Sequence, residues 1–523
     1  MTALLGIDIG TSSTKAVLMD VSGKLIARSQ SEYQIDSPRP GWAEQHPQTW
    51  WRAVRETVGS VLSRSGGDAL ASRGIPPSAG PVESHVQDAH ATHELAGIGL
   101  SGQMHGTVLL DEKKRLLRPA VIWADRRSRK QCDAVRELLG KERLRELAGN
   151  SLSPGFMAAT LLWLKENEPD VFSRIATLLL PKDYIRFKLT GEFATEVTDA
   201  SSTLLLDVRR RSWSEELLRL VCISPEQLPP LHESQDVVGT VTESAAEELG
   251  LKAGIPVVAG GGDQSMAAIG NGVVEEGIAL STIGTGGQLF TPIRTFRTDP
   301  DLRIHSFCHA IPGMWHLMGA ILSAGLSLKW FRDKFSPGTD YKEIDEAAAS
   351  VPAGSDGLVF LPYLLGERTP HLDPSARGCF IGLTIHHSFG HLARALMEGV
   401  AFAMRDCLDL FGDVGVASDK IVLSGGGATS PLWRQIQADV YNREVLTVNT
   451  REEAATGAAI LAGAGVGIYP SVQKACAELI RPECSTSPHH ENASRYAELH
   501  EVYRSLYPLL KDSFHKLTDL TPA

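Results

Sequence analysis

Gly6-Ile7-Asp8-Ile9-Gly10-Thr11-Ser12-Ser13-Thr14-Lys15 sets a carboxylate at the end of an apolar strand and follows it with small hydroxylated residues in a tight turn. A bound phosphate needs backbone N–H and hydroxyl donors at short range, and its Mg²⁺ needs a carboxylate held nearby through water. Asp8 supplies the second and Gly10 to Ser13 supply the first. The stretch lacks the GK[ST] ending of a Walker loop and the GxGxxG of a dinucleotide fold. A plain strand-turn-strand hairpin whose Asp caps the turn fits the same residues.

Four more stretches repeat the design, a strand running into a turn of Gly, Ser or Thr: Ile98 to Asp111, Val257 to Gly270, Ile278 to Phe290 and Ile421 to Val440. Between them strand-length apolar runs alternate with amphipathic segments, the pattern of an α/β protein. The chain has 523 residues, too many for one core, so two similar lobes facing a central cleft are expected. Gly254-Ile255-Pro256 marks the expected boundary, giving lobes 1–254 and 255–523. Ser63 to Leu95, rich in Gly and Pro and carrying His85, His90 and His93, reads as a polar surface excursion, because no Cys or carboxylate spacing completes a metal-ligand set. Ser494 to Leu517 carries apolar residues at helical spacing, with Ser494 as an expected N-cap and Pro508 as an expected kink.

Apolar residues make up 43% and charged residues 22%, which excludes disorder. The net charge of −11 offers no basic face for nucleic acid or an anionic membrane, so a small molecule is the expected partner. Seven cysteines without a CxxC pair read as reduced thiols. Neither a signal-peptide pattern nor an apolar run of spanning length is present, and a cytoplasmic location is expected.

Gly260-Gly261-Gly262-Asp263-Gln264-Ser265 follows a strand and opens a helix. Glycines let a ligand approach the backbone, and Asp263 there either takes a proton from a substrate hydroxyl or caps the helix. Ser281 to Gly287 suits the terminal phosphates of a nucleotide, or serves as a hairpin. Ser424 to Trp433 opens a flat slot for a purine and its ribose, or is a turn made tight for packing. Ser101-Gly102-Gln103-Met104-His105-Gly106 combines polar contacts with an apolar surface, a mixture suited to a polyhydroxylated substrate, although a lone His is more often structural. Trp123 is a sugar platform or a core residue.

In this order the five turns resemble the FGGY carbohydrate kinases, members of the superfamily that holds actin and hexokinase, over nearly the whole chain. Ser101 to Gly106 is similar to the sugar-contacting motif of the family's xylulokinase branch, where glycerol kinases carry an Arg-Glu pair. Gly366-Glu367-Arg368-Thr369-Pro370-His371, through Arg377-Gly378 to Glu398-Gly399, resembles the C-terminal signature. The resemblance implies two ribonuclease-H-like lobes and ATP-dependent phosphorylation of a ketopentose, D-xylulose to D-xylulose 5-phosphate. Another sugar or polyol, such as ribulose or gluconate, is the alternative, and a non-catalytic nucleotide sensor is a more distant one.

It also implies roles. Asp263 is the general base, and Met104 and His105 contact the sugar with Gln103, Trp123 and Gln264 as neighbours. Asp8 holds Mg²⁺ through water. Thr11, Ser12, Ser13 and Lys15 face the phosphates of ATP from one side and Thr285 and Gly286 from the other. Gly426, Gly427 and Ser430 border the adenosine, and Trp330 shields it. Closure is expected to bring Asp8 and Asp263 together from opposite lobes. Association as a homodimer is left open.

Overall fold

The computed structural model describes residues 2–65 and 94–520, so His85, His90 and His93 and most of the 63–95 excursion lie outside the described residues. Strands β1 (Thr2–Ile9), β2 (Ser13–Asp20) and β3 (Leu25–Glu32) form an antiparallel meander. Helix α1 (Pro47–Ser65) covers it, and β4 (Glu94–Gly102) returns parallel to β1. Strand β1 is buried on both faces. Leu5, Ile7 and Ile9 share a core with Trp50, Val54 and Val58 of α1, whereas Leu4 points the other way, into a second core. This is the two-residue side-chain period of a strand covered on both sides.

Helix α2 (Pro181–Thr190) and strand β5 (Val237–Thr240) come next, then β6 (Pro256–Val258), β7 (Gly261–Gly262) and helix α3 (Asp263–Gly270). Both β6 and β7 pair in parallel with β4, placing Val257 opposite Ile98, Gly261 opposite Ser101 and Gly262 opposite Gly102. The expected boundary at 254/255 is therefore displaced. Residues 256–262 belong to the first sheet, and the chain changes sheets over 271–276. The Gly-Ile-Pro turn breaks the chain direction without breaking the sheet.

The second sheet repeats the plan. Strands β8 (Gly277–Ile283), β9 (Gly287–Ile293), β10 (His305–Cys308) and β11 (Trp315–Ile321) are antiparallel. Helices α4 (Gly325–Phe335) and α5 (Phe389–Asp413) lead to β12 (Ser418–Gly425), which runs parallel to β8. Helix α6 (Pro431–Tyr441), β13 (Glu444–Val448), α7 (Glu453–Gly465), β14 (Pro482–Thr486) and α8 (His490–Leu520) complete the chain. The order is β10-β11-β9-β8-β12-β13-β14.

Helix α7 leaves the second sheet and packs on the first. A Cβ at Gly6 would lie 1.9 Å from the Ala455 carbonyl oxygen, and one at Gly99 1.9 Å from that of Ala458. At the crossing of α7 with α3, a Cβ on Gly457 would lie 1.9 Å from the Met266 carbonyl oxygen. Helix and sheet backbones touch here, so any larger residue forces them apart. The two lobes thus meet through a glycine-lined helix crossing behind the cleft.

Helix α8 docks on the second core through Tyr496, Tyr503, Tyr507 and Phe514. It begins at His490, earlier than the expected cap at Ser494, whose hydroxyl lies one turn inside and donates to the His490 carbonyl. The cap comes from another helix: Asp439 of α6 accepts from the His489 amide at 2.7 Å and from Asn492 Nδ2 at 2.9 Å. The helix continues through Pro508. Among the described residues no helix is long and apolar enough to cross a membrane. All seven cysteines are free.

Candidate active site

Three neighbouring strands end at one edge of the first sheet, the edge where parallel strands present ligand sites. Asp8 stands one residue before the end of β1, directly beside Ser101 of β4, and β7 delivers Asp263 as the first residue of α3. The Ser101 hydroxyl donates to Asp8 Oδ1 at 2.7 Å. Asp8 Oδ2 has no hydrogen-bond partner among the described residues.

Asp263 is partly exposed. Burial first, then the negative charge of Asp8, pushes its carboxyl up to about 7, while hydrogen bonds from Gln264 pull the other way. Asp8 is also raised, by burial first; the Ser101 hydroxyl and Lys15 oppose the rise and Glu452 adds to it. A carboxyl raised by burial and by a neighbouring carboxylate has the chemistry of a base near neutrality, and the neighbour's unpartnered oxygen has that of a cation ligand. Both stand on the first sheet, which corrects the expectation that they approach from opposite lobes. The cause is the parallel pairing of β7 with β4.

The turn after β1 closes through Gly10 N donating to the Ser13 carbonyl at 3.0 Å. Ser13 is buried, Ser12 exposed and Thr11 partly exposed. Lys15 is engaged by Glu452 at 3.0 Å, and Arg28 meets the same carboxylate at 2.9 Å. Lys15 is thus tied to the residue that precedes α7.

Gln103 is buried, with Nε2 donating to Gln45 Oε1 at 2.9 Å and with Oε1 left unpaired. Gln45 also donates to the Thr11 carbonyl at 2.7 Å and accepts from Trp50 Nε1 at 3.1 Å. It thereby connects the turn after β1 to the Gln103 turn. The Trp123 indole donates to Thr11 Oγ1 at 2.8 Å while keeping 36% of its surface exposed.

Met104 packs with Phe307 and Met318 of the second lobe. His105 sits at φ 70°, with its ring 3.9 Å from that of Phe156 and stacked on it. Burial, with help from the charge of Arg368, holds it down at about 3, so the imidazole is neutral at physiological pH. Nδ1 lies 2.8 Å from the Ser202 carbonyl and must therefore donate, which leaves Nε2 as an acceptor for a hydroxyl.

On the second sheet Ile283 pairs with Gly425, which sets the two glycine turns side by side. Thr285 is exposed, and its carbonyl accepts from the amides of Ala324 at 3.1 Å and Leu326 at 3.0 Å, fixing the turn to the start of α4. Gly286 is partly exposed and Gly426 exposed, whereas Gly427 lies against Ile283. The Ser430 hydroxyl caps α6 by accepting from the Trp433 amide at 3.0 Å. Trp330 is partly buried, edge-on to Phe335 at 5.1 Å.

Sequence reading did not find Gln45, Ser202 or Glu452, which join the site from distant segments without a local motif. Arg368 stood in a quoted signature without a role. Its guanidinium is desolvated and has no hydrogen bond or ion pair among the described residues, and its charge depresses both His105 and His305.

Family models for the FGGY family of carbohydrate kinases match the chain twice, the N-terminal domain over residues 3–270 and the C-terminal domain over 279–466. A xylulose kinase of Lactococcus lactis is 37% identical over 99% of this chain and 99% of its own length. One of Bacillus subtilis is 36% identical over 98% of each. Among solved structures, a xyloylose kinase from Brucella ovis superposes with a TM-score of 0.87 at 34% identity, covering 98% of this chain and 99% of that one.

Proposed function

Because the chain belongs to the FGGY family of carbohydrate kinases, we propose that it transfers the γ-phosphoryl group of ATP to a ketopentose, converting D-xylulose to D-xylulose 5-phosphate. The observation that carries the chemistry is Asp263, a partly exposed carboxyl poised near neutrality at a strand end. Full-length similarity to xylulose kinases supports the choice of sugar.

In this reading Asp263 accepts the proton of the sugar hydroxyl as its oxygen bonds to the γ-phosphorus; the bond to the bridging oxygen breaks and ADP leaves. Positioning and charge stabilisation supply most of the rate, since the transferred group asks for little covalent help from the protein. Neutral His105 and the apolar side of Met104 hold the sugar, with Gln103, Gln264 and Trp123 around it. Thr11, Ser12, Ser13 and the Thr285-Gly286 turn face the phosphates, and Lys15 adds positive charge from the first sheet. Gly426 and Gly427 border the adenosine, with Ser430 holding their turn to α6 and Trp330 beyond.

Mg²⁺ fits the donor set. Asp8 offers a carboxylate oxygen without a hydrogen-bond partner among the described residues, at a place where burial first, and then the negative charge of Glu452 on Asp8 and of Asp8 on Asp263, raises both carboxyls. Held there through water, the cation would neutralise charge on the phosphates.

A coupled assay of ADP release across ketoses, aldonates and polyols tests the reading. D-xylulose is expected to give the highest kcat/KM, with little ADP formed in the absence of sugar. Preference for an aldonate or a polyol replaces the substrate, and absence of any sugar-dependent release removes the kinase reading.

A further inference from the structure

Behind the strand that leads into Asp263 lies a group of buried ionisable side chains that the reaction does not touch. Lys182 Nζ is 2.7 Å from Asp183 Oδ1, 3.2 Å from Glu196 Oε1 and 3.3 Å from Asp199 Oδ2, and Arg186 Nη2 is 3.0 Å from Asp183 Oδ1. All five side chains are fully buried. Buried ion pairs of this kind are weak arguments for stability, because desolvation offsets their attraction. Their use is better sought in the directions they impose on neighbouring groups.

Those directions lead to the site. Glu196 Oε1 accepts the Thr198 hydroxyl at 2.9 Å and Oε2 accepts the Thr198 amide at 2.7 Å. Both Glu196 oxygens face donors, Lys182 and the Thr198 hydroxyl on Oε1 and the Thr198 amide and the Ser234 hydroxyl on Oε2, so the Thr198 proton is committed to this carboxyl group and a lone pair must point elsewhere. It points at Gly262, whose amide donates to Thr198 Oγ1 at 2.9 Å. Gly262 immediately precedes Asp263. Arg186 Nη1 fixes the same segment further back, donating to the Ala259 carbonyl at 2.7 Å. One turn on, Ser202 donates to the Asp199 carbonyl at 2.6 Å and accepts from the His105 amide at 3.0 Å. One buried cluster therefore holds the backbone of His105 and of Gly262, the residue before Asp263.

We propose that Thr198 is a positioning residue for Asp263, its hydroxyl aimed by the buried Lys182–Glu196 pair so that the Gly262 amide, and the carboxylate after it, are held at the sugar pocket. The proposal rests on the reading of Asp263 as the base. Thr198 itself contacts no reacting atom, and the charges facing Asp263 remain those of Asp8 and, through Asp8, Lys15 and Glu452.

Thr198→Val keeps the shape and removes the hydroxyl, whereas Thr198→Ser keeps the hydroxyl. With wild-type D-xylulose kinase activity measured first, kcat of Thr198→Val is expected to fall about 10- to 100-fold with both KM values within about threefold, and Thr198→Ser to stay within about threefold of wild type. The acid limb of the kcat–pH profile should move to lower pH in Thr198→Val, because a loosened Asp263 is better hydrated. A change in packing alone lowers the melting temperature without moving that limb. Wild-type kcat with an unmoved limb in Thr198→Val, or equal losses in both variants, overturns the proposal; an inactive wild type on every sugar instead removes the reading beneath it.

Discussion

The side of the cleft formed by the first sheet presents side chains, Asp8 and His105, each held by a hydrogen bond, and Asp263, held through the amide of the preceding Gly262. The side formed by the second sheet presents backbone: the Thr285 turn is pinned by its own carbonyl, and the Gly425-Gly426-Gly427 turn lies against Ile283. A proton-accepting group must be fixed in place and in ionisation, which takes a polar scaffold. A purine is broad and flat and needs only a smooth wall with few protrusions. The difference fits the proposed placing of the base on the first side and of the adenosine on the second, so substitution of the base and of the adenosine slot should separate kcat from the KM for ATP.

The largest separation is expected from Asp263→Ala. Loss of a general base lowers kcat by roughly 10²–10⁴, while D-xylulose binding measured by calorimetry is retained. In the wild type, the base works only when deprotonated, and its carboxyl is pushed up to about 7. The kcat of the wild type should therefore fall about tenfold per pH unit below that value and level off above it. A flat profile from pH 5 to 8, or an Asp263→Ala enzyme of near-normal turnover, contradicts the assignment of chemistry to the first sheet.

A smaller effect of the opposite kind is expected from Gly426→Val. A Cβ at Gly426 meets nothing nearer than the Ile283 carbonyl oxygen at 3.8 Å, so the variant should fold. Its branched side chain would stand in the slot assigned to adenosine. The KM for ATP should rise roughly tenfold, about 1.4 kcal/mol, with kcat and the ketose KM close to wild type. If kcat falls as far as the KM for ATP rises, the two sides are not separable in this way.

The strand-turn motifs made the two-lobe plan legible, because Gly, Asp and hydroxylated residues at strand ends are local signals. Sheet membership was not local: Pro256 to Gly262 reads as a fresh start along the chain and joins the first sheet only through pairing with β4. The glycines at 6 and 99 read as part of motifs, yet they serve the approach of α7 from more than 300 residues away. The cap of α8 is hidden for the same reason, since Asp439 lies on another helix. Asp263 and His105 stood out in the sequence, but the residues that orient them, Thr198 and Ser202, sit in a segment whose Thr and Ser look like ordinary helix-end chemistry.

The smallest effect concerns stability. The Asp263 carboxyl has an ordinary value of 3.8 and is pushed up to about 7 in the folded protein. Between those values the native state keeps a proton that the unfolded chain has lost, so this group makes stability fall as pH rises from about 4 to about 7. Asparagine binds no proton and needs none. Without nucleotide or sugar, Asp263→Asn should therefore melt about 2–4 °C above wild type at pH 8, with the gap closing toward pH 4. The first sheet would then hold its base at a cost in stability, as expected of a site whose carboxylates are kept close for function. A variant that melts below wild type at pH 8, with the gap unchanged at pH 4, would show instead that the Asp263 carboxylate is a stabilising partner in the fold, and the contrast between the two sides of the cleft would lose its physical basis.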